Sequence, residues 1–166
     1  MKPNPVLKYV CNCFLLTLPI LVWNLVLASH LPAPFQPAIF WHDIPPFLAL
    51  GENISRSSVF LLTLLMPLSV ESRTQKTGLV VYVVGTVLYC ASWLALLYFP
   101  ESAWSNSGWG FLAPAYTPAL WLTGIGLIGR TFYVNLPYKR WFFISVCMIF
   151  LVFHNIHTIM IYHRTH

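Results

Sequence analysis

Charge is what this sequence lacks most. Only 8% of its 166 residues are Asp, Glu, Lys or Arg, and four are acidic. A soluble domain carries about 25% charged residues, because its surface must face water. A largely hydrated surface is therefore excluded, and lipid is expected to cover most of the chain. Basic runs are missing as well, despite a net charge of +5, so nucleic acid is not an expected partner. Cysteine is sparse: Cys11, Cys13, Cys90 and Cys147. No CxxC pair faces a watery loop, which argues against a quinone-coupled disulfide oxidase. The Cys11–Cys13 pair has a spacing that can bind metal or exchange disulfides, but cysteines in apolar segments usually act as small apolar side chains. Also missing are a phosphate-binding glycine loop, a serine elbow, a kinase-type motif and an HExxH zinc motif.

What is present is hydrophobic: 58% of the residues, with a mean hydropathy of +0.70. Repeats, low-complexity tracts and flexible linkers are absent, so residues 1–166 are expected to form one domain. Apolar runs fall at about 9–28, 48–70, 78–99, 110–129 and 141–162, each near the ~20 residues that cross a bilayer as a helix. The expected fold class is all-α, a polytopic helical membrane protein with a compact bundle of five transmembrane helices. The first run follows Lys2 and Lys8 and ends in VLA, resembling a secretory signal, and is read as a first span. The second is the weakest, because full length requires Glu52 and Arg56. Pro19, Pro67, Pro114 and Pro118 should bend or interrupt their helices.

Orientation follows from the basic residues. An N-terminus inside collects Lys2, Lys8, Arg73, Lys76, Arg130, Lys139 and Arg140 on the cytoplasmic side, leaving Arg56 and Arg164 opposite. The C-terminus is then extracytoplasmic. The Pro- and Trp-rich segments LASHLPAPFQPAIFWHDIPPF and PESAWSNSGWG also lie outside. PAIFWHDI is expected to form a short interfacial helix or re-entrant piece, and Trp41, Trp104 and Trp109 to act as interface anchors. With no organelle-targeting pattern, a plasma or bacterial inner membrane is expected.

The sharpest feature is FHNIHTIMIYHRTH at 153–166, which sets His154, Asn155 and His157 inside an apolar run. Counted from Trp141 at 1.5 Å per residue, His154 lies about 20 Å and His157 about 24 Å deep. Counted from Val70, Arg56 lies about 21 Å and Glu52 about 27 Å deep, while Asn24 falls near 24 Å and Tyr116 near 20 Å. Glu52 and Arg56 are four apart and His154 and His157 three apart, so each pair shares a helix face. Charges at such depth should turn inward and find partners. We therefore expect an outer-leaflet polar pocket built from Asn24, Glu52, Asn53, Arg56, Tyr116, His154 and His157. Gly85, Tyr89 and Trp93 would form a wall, and GIGLIG at 124–129 would allow close helix contact.

Several readings compete for these residues. Glu52–Arg56 could anchor a helix at the interface, recognise an anionic head group, or supply a carboxylate for proton transfer. Two histidines with Glu52 would suit zinc or iron, but Arg56 would repel a cation there. A hydrogen-bonding or proton-sensing role fits better, and neither metal nor cofactor is expected. His163, Arg164 and His166 read as a solvated tail. The expected function is binding of a lipid, isoprenoid or other amphipathic ligand, or docking of a partner membrane protein. Membrane lipids are expected partners, and a homo-oligomer is a further option. The alternatives are an outer-leaflet enzyme with Glu52, His154 and His157 as acid–base groups, or a transporter subunit.

Overall fold

The computed structural model describes residues 10–135 and 137–165, so Lys2, Lys8 and His166 lie outside the described residues. Among the described residues, regular structure is helical, with a single isolated antiparallel bridge between Asn12 and Pro67 and no strand. After a 3₁₀ turn at Cys13–Leu16, the helices are α1 (Leu18–Leu27), α2 (Pro37–Phe40), α3 (Pro46–Leu65), α4 (Arg73–Tyr98), α5 (Gly108–Phe111), α6 (Ala113–Tyr116), α7 (Pro118–Ile128) and α8 (Arg140–Thr165). A second 3₁₀ turn lies at Ala33–Phe35.

Two of these, α4 and α8, are long and apolar enough to cross a membrane. At 26 residues each, they extend about 39 Å. Helix α4 starts five residues before the expected Gly78 because Ser72 and Gln75 form a capping box, each side chain meeting the other's backbone N–H. The other expected spans are shorter or broken, and the structure does not establish five crossings. The first is the 3₁₀ turn plus α1, a short apolar helix over Cys13–Leu27. Helix α3 stops at Leu65 rather than continuing to 70, because Met66 precedes Pro67 and takes extended angles of φ −94°, ψ 117°. The fourth run is cut into α5, α6 and α7, with Pro114 and Pro118 each in a first helical turn, where the missing N–H costs nothing.

Two tight helix pairs organise the chain, α4 against α7 and α3 against α8, with α7 joining them to α8. Small residues set the first contact. A Cβ at Gly85 would lie 2.4 Å from the Trp121 backbone nitrogen, and one at Gly124 would lie 2.5 Å from that of Tyr82. The glycine-rich run of α7 thus does bring two backbones together. At one end of the bundle, the backbone is knitted by Cys13 N–H to Met66 O (2.8 Å), Leu68 N–H to Cys11 O (3.0 Å) and Tyr133 N–H to Leu65 O (2.9 Å). The buried Gln75 amide donates to Ile128 O at 2.9 Å at the same end. At the other end, Arg164 reaches back from α8 to the carbonyls of His42 and Asp43, both at 2.6 Å. The tail residue Arg164 is therefore a clamp rather than the purely solvated group expected. Asp43 helps by adopting φ 51°, a left-handed conformation that Asp tolerates better than most residues.

The distribution of side chains inverts that of a water-soluble domain. Leu25, Val26, Leu50, Ile54, Leu61, Val80, Val87 and Val152 are exposed, while Thr17, Glu52, Thr63, Gln75, His157 and Thr158 are buried.

Candidate functional site

Glu52 is the centre of the candidate site. Its side chain is fully enclosed at 0% exposure, on the face of α3 that packs against α8. Gly51 makes this approach possible, since a Cβ there would lie 2.5 Å from the ring of Phe153. The helical period then directs Arg56, one turn later, to the same carboxylate, where its guanidinium donates to Oε1. From α8, His154 Nδ1 stands 2.9 Å from Oε1 and His157 Nδ1 stands 2.6 Å from Oε2. Two helices thus contribute two adjacent turns each to one four-residue cluster.

The polar stretch within α8 is now accounted for residue by residue. His157 is fully buried, and its other nitrogen, Nε2, lies 2.7 Å from the carbonyl oxygen of Phe40. A carbonyl only accepts, so Nε2 carries a proton and donates it. Asn155 donates to Ala115 O at 3.1 Å, fastening α8 to α6. Thr158, buried beside the cavity, donates its hydroxyl to His154 O at 2.8 Å. His154 is part-exposed and stacks on Phe150 with ring centroids 5.4 Å apart.

Above the cluster, the segment from Leu31 to Trp41 folds down as a roof. Gln36 fixes it by donating to Leu31 O at 2.7 Å, and His157 holds Phe40 by both its backbone and its ring, with centroids 4.1 Å apart. Trp41 lies edge-on to His157 and beneath the Arg56 guanidinium, 5.9 Å from ring centroid to Cζ. Phe150 faces the same guanidinium at 5.7 Å. Arg56 is therefore sandwiched between aromatic faces, which fixes its direction. Trp41 does more than anchor an interface.

Beside the cluster is a cavity of about 360 Å³, within the range of small-molecule sites. Arg56 and His154 line it together with Asn24, Tyr89, Trp93, Trp121 and a predominantly aromatic and aliphatic wall that includes Phe35, Phe40, Phe60 and Leu122. Tyr89 donates to Asn24 Oδ1 at 2.6 Å, so the first and third apolar runs meet across this space. Trp121 is buried, yet its indole N–H has no hydrogen-bond partner among the described residues.

Of the residues expected to converge, Glu52, Arg56, His154 and His157 form the cluster, and Asn24, Tyr89 and Trp93 line the adjoining cavity. Asn53 is exposed on α3 and Tyr116 hydrogen-bonds to Trp109 O at 3.2 Å; neither lines the cavity. Counting depth from Val70 assumed a helix through 66–70, whereas α3 ends at Leu65. The Phe40 carbonyl, Trp121, Phe150 and Arg164 were not singled out for this site by sequence. A carbonyl leaves no residue-type signal, and tryptophan or phenylalanine in an apolar helix looks like any core residue. Both histidine Nδ1 atoms point at separate carboxylate oxygens rather than at a shared point, an arrangement for hydrogen bonding. Among the described residues, no set of three or more His, Cys, Asp or Glu side chains is arranged to hold a metal ion.

No protein-family model matches this chain, and neither curated proteins nor solved structures give a match.

Proposed function

We propose that this chain is a small polytopic membrane protein whose outer-leaflet cavity binds a lipid, isoprenoid or other amphipathic ligand. The cavity carries the reading: about 360 Å³ of mainly apolar space, with the Arg56 guanidinium and the His154 ring on one wall. Such a division of polar and apolar lining suits a molecule with a polar head and a hydrocarbon body. Five spans are supported by the exposed apolar side chains of α1 and α3, such as Leu25, Val26, Leu50 and Leu61, which match those of α4 and α8. Orientation with the N-terminus inside is supported by the distribution of charge. Arg73, Arg130, Lys139 and Arg140 belong to the knitted end of the bundle, and the clamped end has Arg164. The cluster then sits in the outer half of a plasma or inner membrane.

One observation favours a second reading, an outer-leaflet enzyme. His154 presents Nδ1 to a buried carboxylate and lines the cavity, an arrangement that makes its other nitrogen a general base. In that reading Glu52 orients the base. His157, fully buried and bonded at both nitrogens, cannot touch a substrate.

Extraction of the detergent-purified protein followed by mass spectrometry tests the binding reading. A stoichiometric amphiphile should be recovered, and placing bulk in the cavity by Leu122→Trp should deplete it. Recovery of the same lipids in the same amounts from both proteins would refute the reading. Turnover of a recovered lipid that vanishes in His154→Ala would favour the enzyme.

A further inference from the structure

Counting protons in the cluster gives its charge without knowing where each proton sits. The contact between His157 Nδ1 and Glu52 Oε2 at 2.6 Å must contain one proton, and so must that between His154 Nδ1 and Oε1 at 2.9 Å. A third lies on His157 Nε2, because the Phe40 carbonyl can only accept. With three protons shared among two imidazoles and a carboxylate, those three groups sum to neutral. Arg56, permanently charged, then leaves the cluster with one net positive charge. A proton on His154 Nε2 would only add to it. The count holds whichever atom of each contact owns the proton.

No acidic side chain among the described residues cancels this charge. The remaining outer acids, Asp43 and Glu101, are both exposed; Asp43 pairs with His42, and among the described residues no carboxylate lines the cavity. The polar lining of that cavity is dominated by donors. Arg56 spends one terminal nitrogen on Glu52 and has no other hydrogen-bond acceptor among the described residues. The Asn24 carbonyl is already taken by Tyr89, which leaves its amide N–H groups. Trp121, 6% exposed, also lines this space, and its buried indole N–H has no hydrogen-bond partner among the described residues. Uncompensated charge and orphaned donors are both costly at membrane depth.

We infer that the cavity selects an amphiphile bearing a singly charged oxyanion, a carboxylate or a phosphodiester, which seats its head on Arg56 beside His154. This rests on the binding reading above and narrows it to one charge class. One negative charge neutralises the cluster, the oxygens accept the free donors, and the hydrocarbon lies against the aromatic wall. Sterols and free isoprenoid alcohols, which lack the charge, would leave Arg56 uncompensated. A cationic amphiphile would be repelled.

The test measures binding of labelled dodecanoate, dodecanol and dodecylamine to the full chain immobilised in detergent, by scintillation proximity. Lysophosphatidylglycerol serves as the phosphodiester arm. At least one of the two anions should bind about tenfold or more tightly than dodecanol, as expected for a charge-assisted hydrogen-bonded head, with dodecylamine weakest. Which anion wins identifies the head group. Arg56→Gln should erase the preference for the anion while dodecanol still binds, and Arg56→Lys should retain part of it. Should the variants not fold, the wild-type series alone decides. Dodecanol binding as tightly as both anions, or dodecylamine binding best, would overturn the charge assignment and leave the cavity a binding site. Failure of all four to bind would instead overturn the binding reading itself.

Discussion

In a Glu52→Ala protein, three donors lose their acceptor in one step. Arg56, at 34% side-chain exposure, can swing toward the cavity mouth and regain water. His157 cannot, because it is fully buried and its Nε2 remains tied to Phe40. Breaking a buried charge pair by removing one partner costs about 3–5 kcal/mol. Partial relief at Arg56 puts the expected loss near the lower end, at roughly 3 kcal/mol. Glu52→Gln is the informative control. Its amide oxygen still accepts from Arg56 and His154, and its amide N–H groups face His157 Nδ1, which then accepts as a neutral ring. Every hydrogen bond survives with one proton fewer, so the cost should be about 1 kcal/mol or less. Unfolding in mixed micelles with increasing dodecyl sulfate, followed by circular dichroism, reads both values. A difference between the two variants below about 0.5 kcal/mol would refute the account of Glu52 as a buried three-way acceptor. The same pair addresses chemistry, because Gln preserves the charge-neutral scaffold but cannot move protons.

Other consequences are equally accessible. Gly124→Leu should cost about 2–3 kcal/mol or block folding, since its Cβ would lie 2.5 Å from the Tyr82 backbone; normal unfolding would show that α4 and α7 do not meet there. Arg164→Ala should release the His42 and Asp43 carbonyls and speed hydrogen exchange across the roof segment around Trp41, leaving α4 protected; unchanged exchange would remove the clamp. Trp121→Phe removes part of a buried core ring along with an N–H that has no partner among the described residues, so the expected cost is about 1–2 kcal/mol from lost packing alone; unchanged stability would show that this ring is not packed in the core. Burial pushes the phenol of Tyr138, in the link before α8, above its usual value of 10.0. Tyr138 therefore favours the folded state fully below pH 10, and that contribution should fall as pH rises past this value. An ultraviolet titration that finds every tyrosine ionising as in free peptides would contradict this.

Much of the site was legible because helical periodicity is local. Four-residue and three-residue spacings put Glu52 with Arg56 and His154 with His157 on common faces before any neighbour is considered. Scarcity of charge and sustained apolar runs likewise determined that the chain would be helical, since isolated backbone groups could not be left unpaired in an apolar setting. Proline positions marked where helices would be interrupted. They did not reveal that Met66 would leave α3 at Leu65 or that the fourth run would fall into three pieces, because both depend on what the freed backbone groups meet.

Rotation of each helix about its axis was decided only by tertiary structure. Glycines at 51, 85 and 124 allow backbone approach at particular points, and that steric fit turns the Glu52 face toward the histidines rather than away. The roof is a still less local result. A main-chain carbonyl of Phe40 and two more from His42 and Asp43 hold it in place through partners more than a hundred residues away. Sequence names side chains, but every residue offers the same carbonyl. Which of them would be used was settled by how the chain folded back on itself.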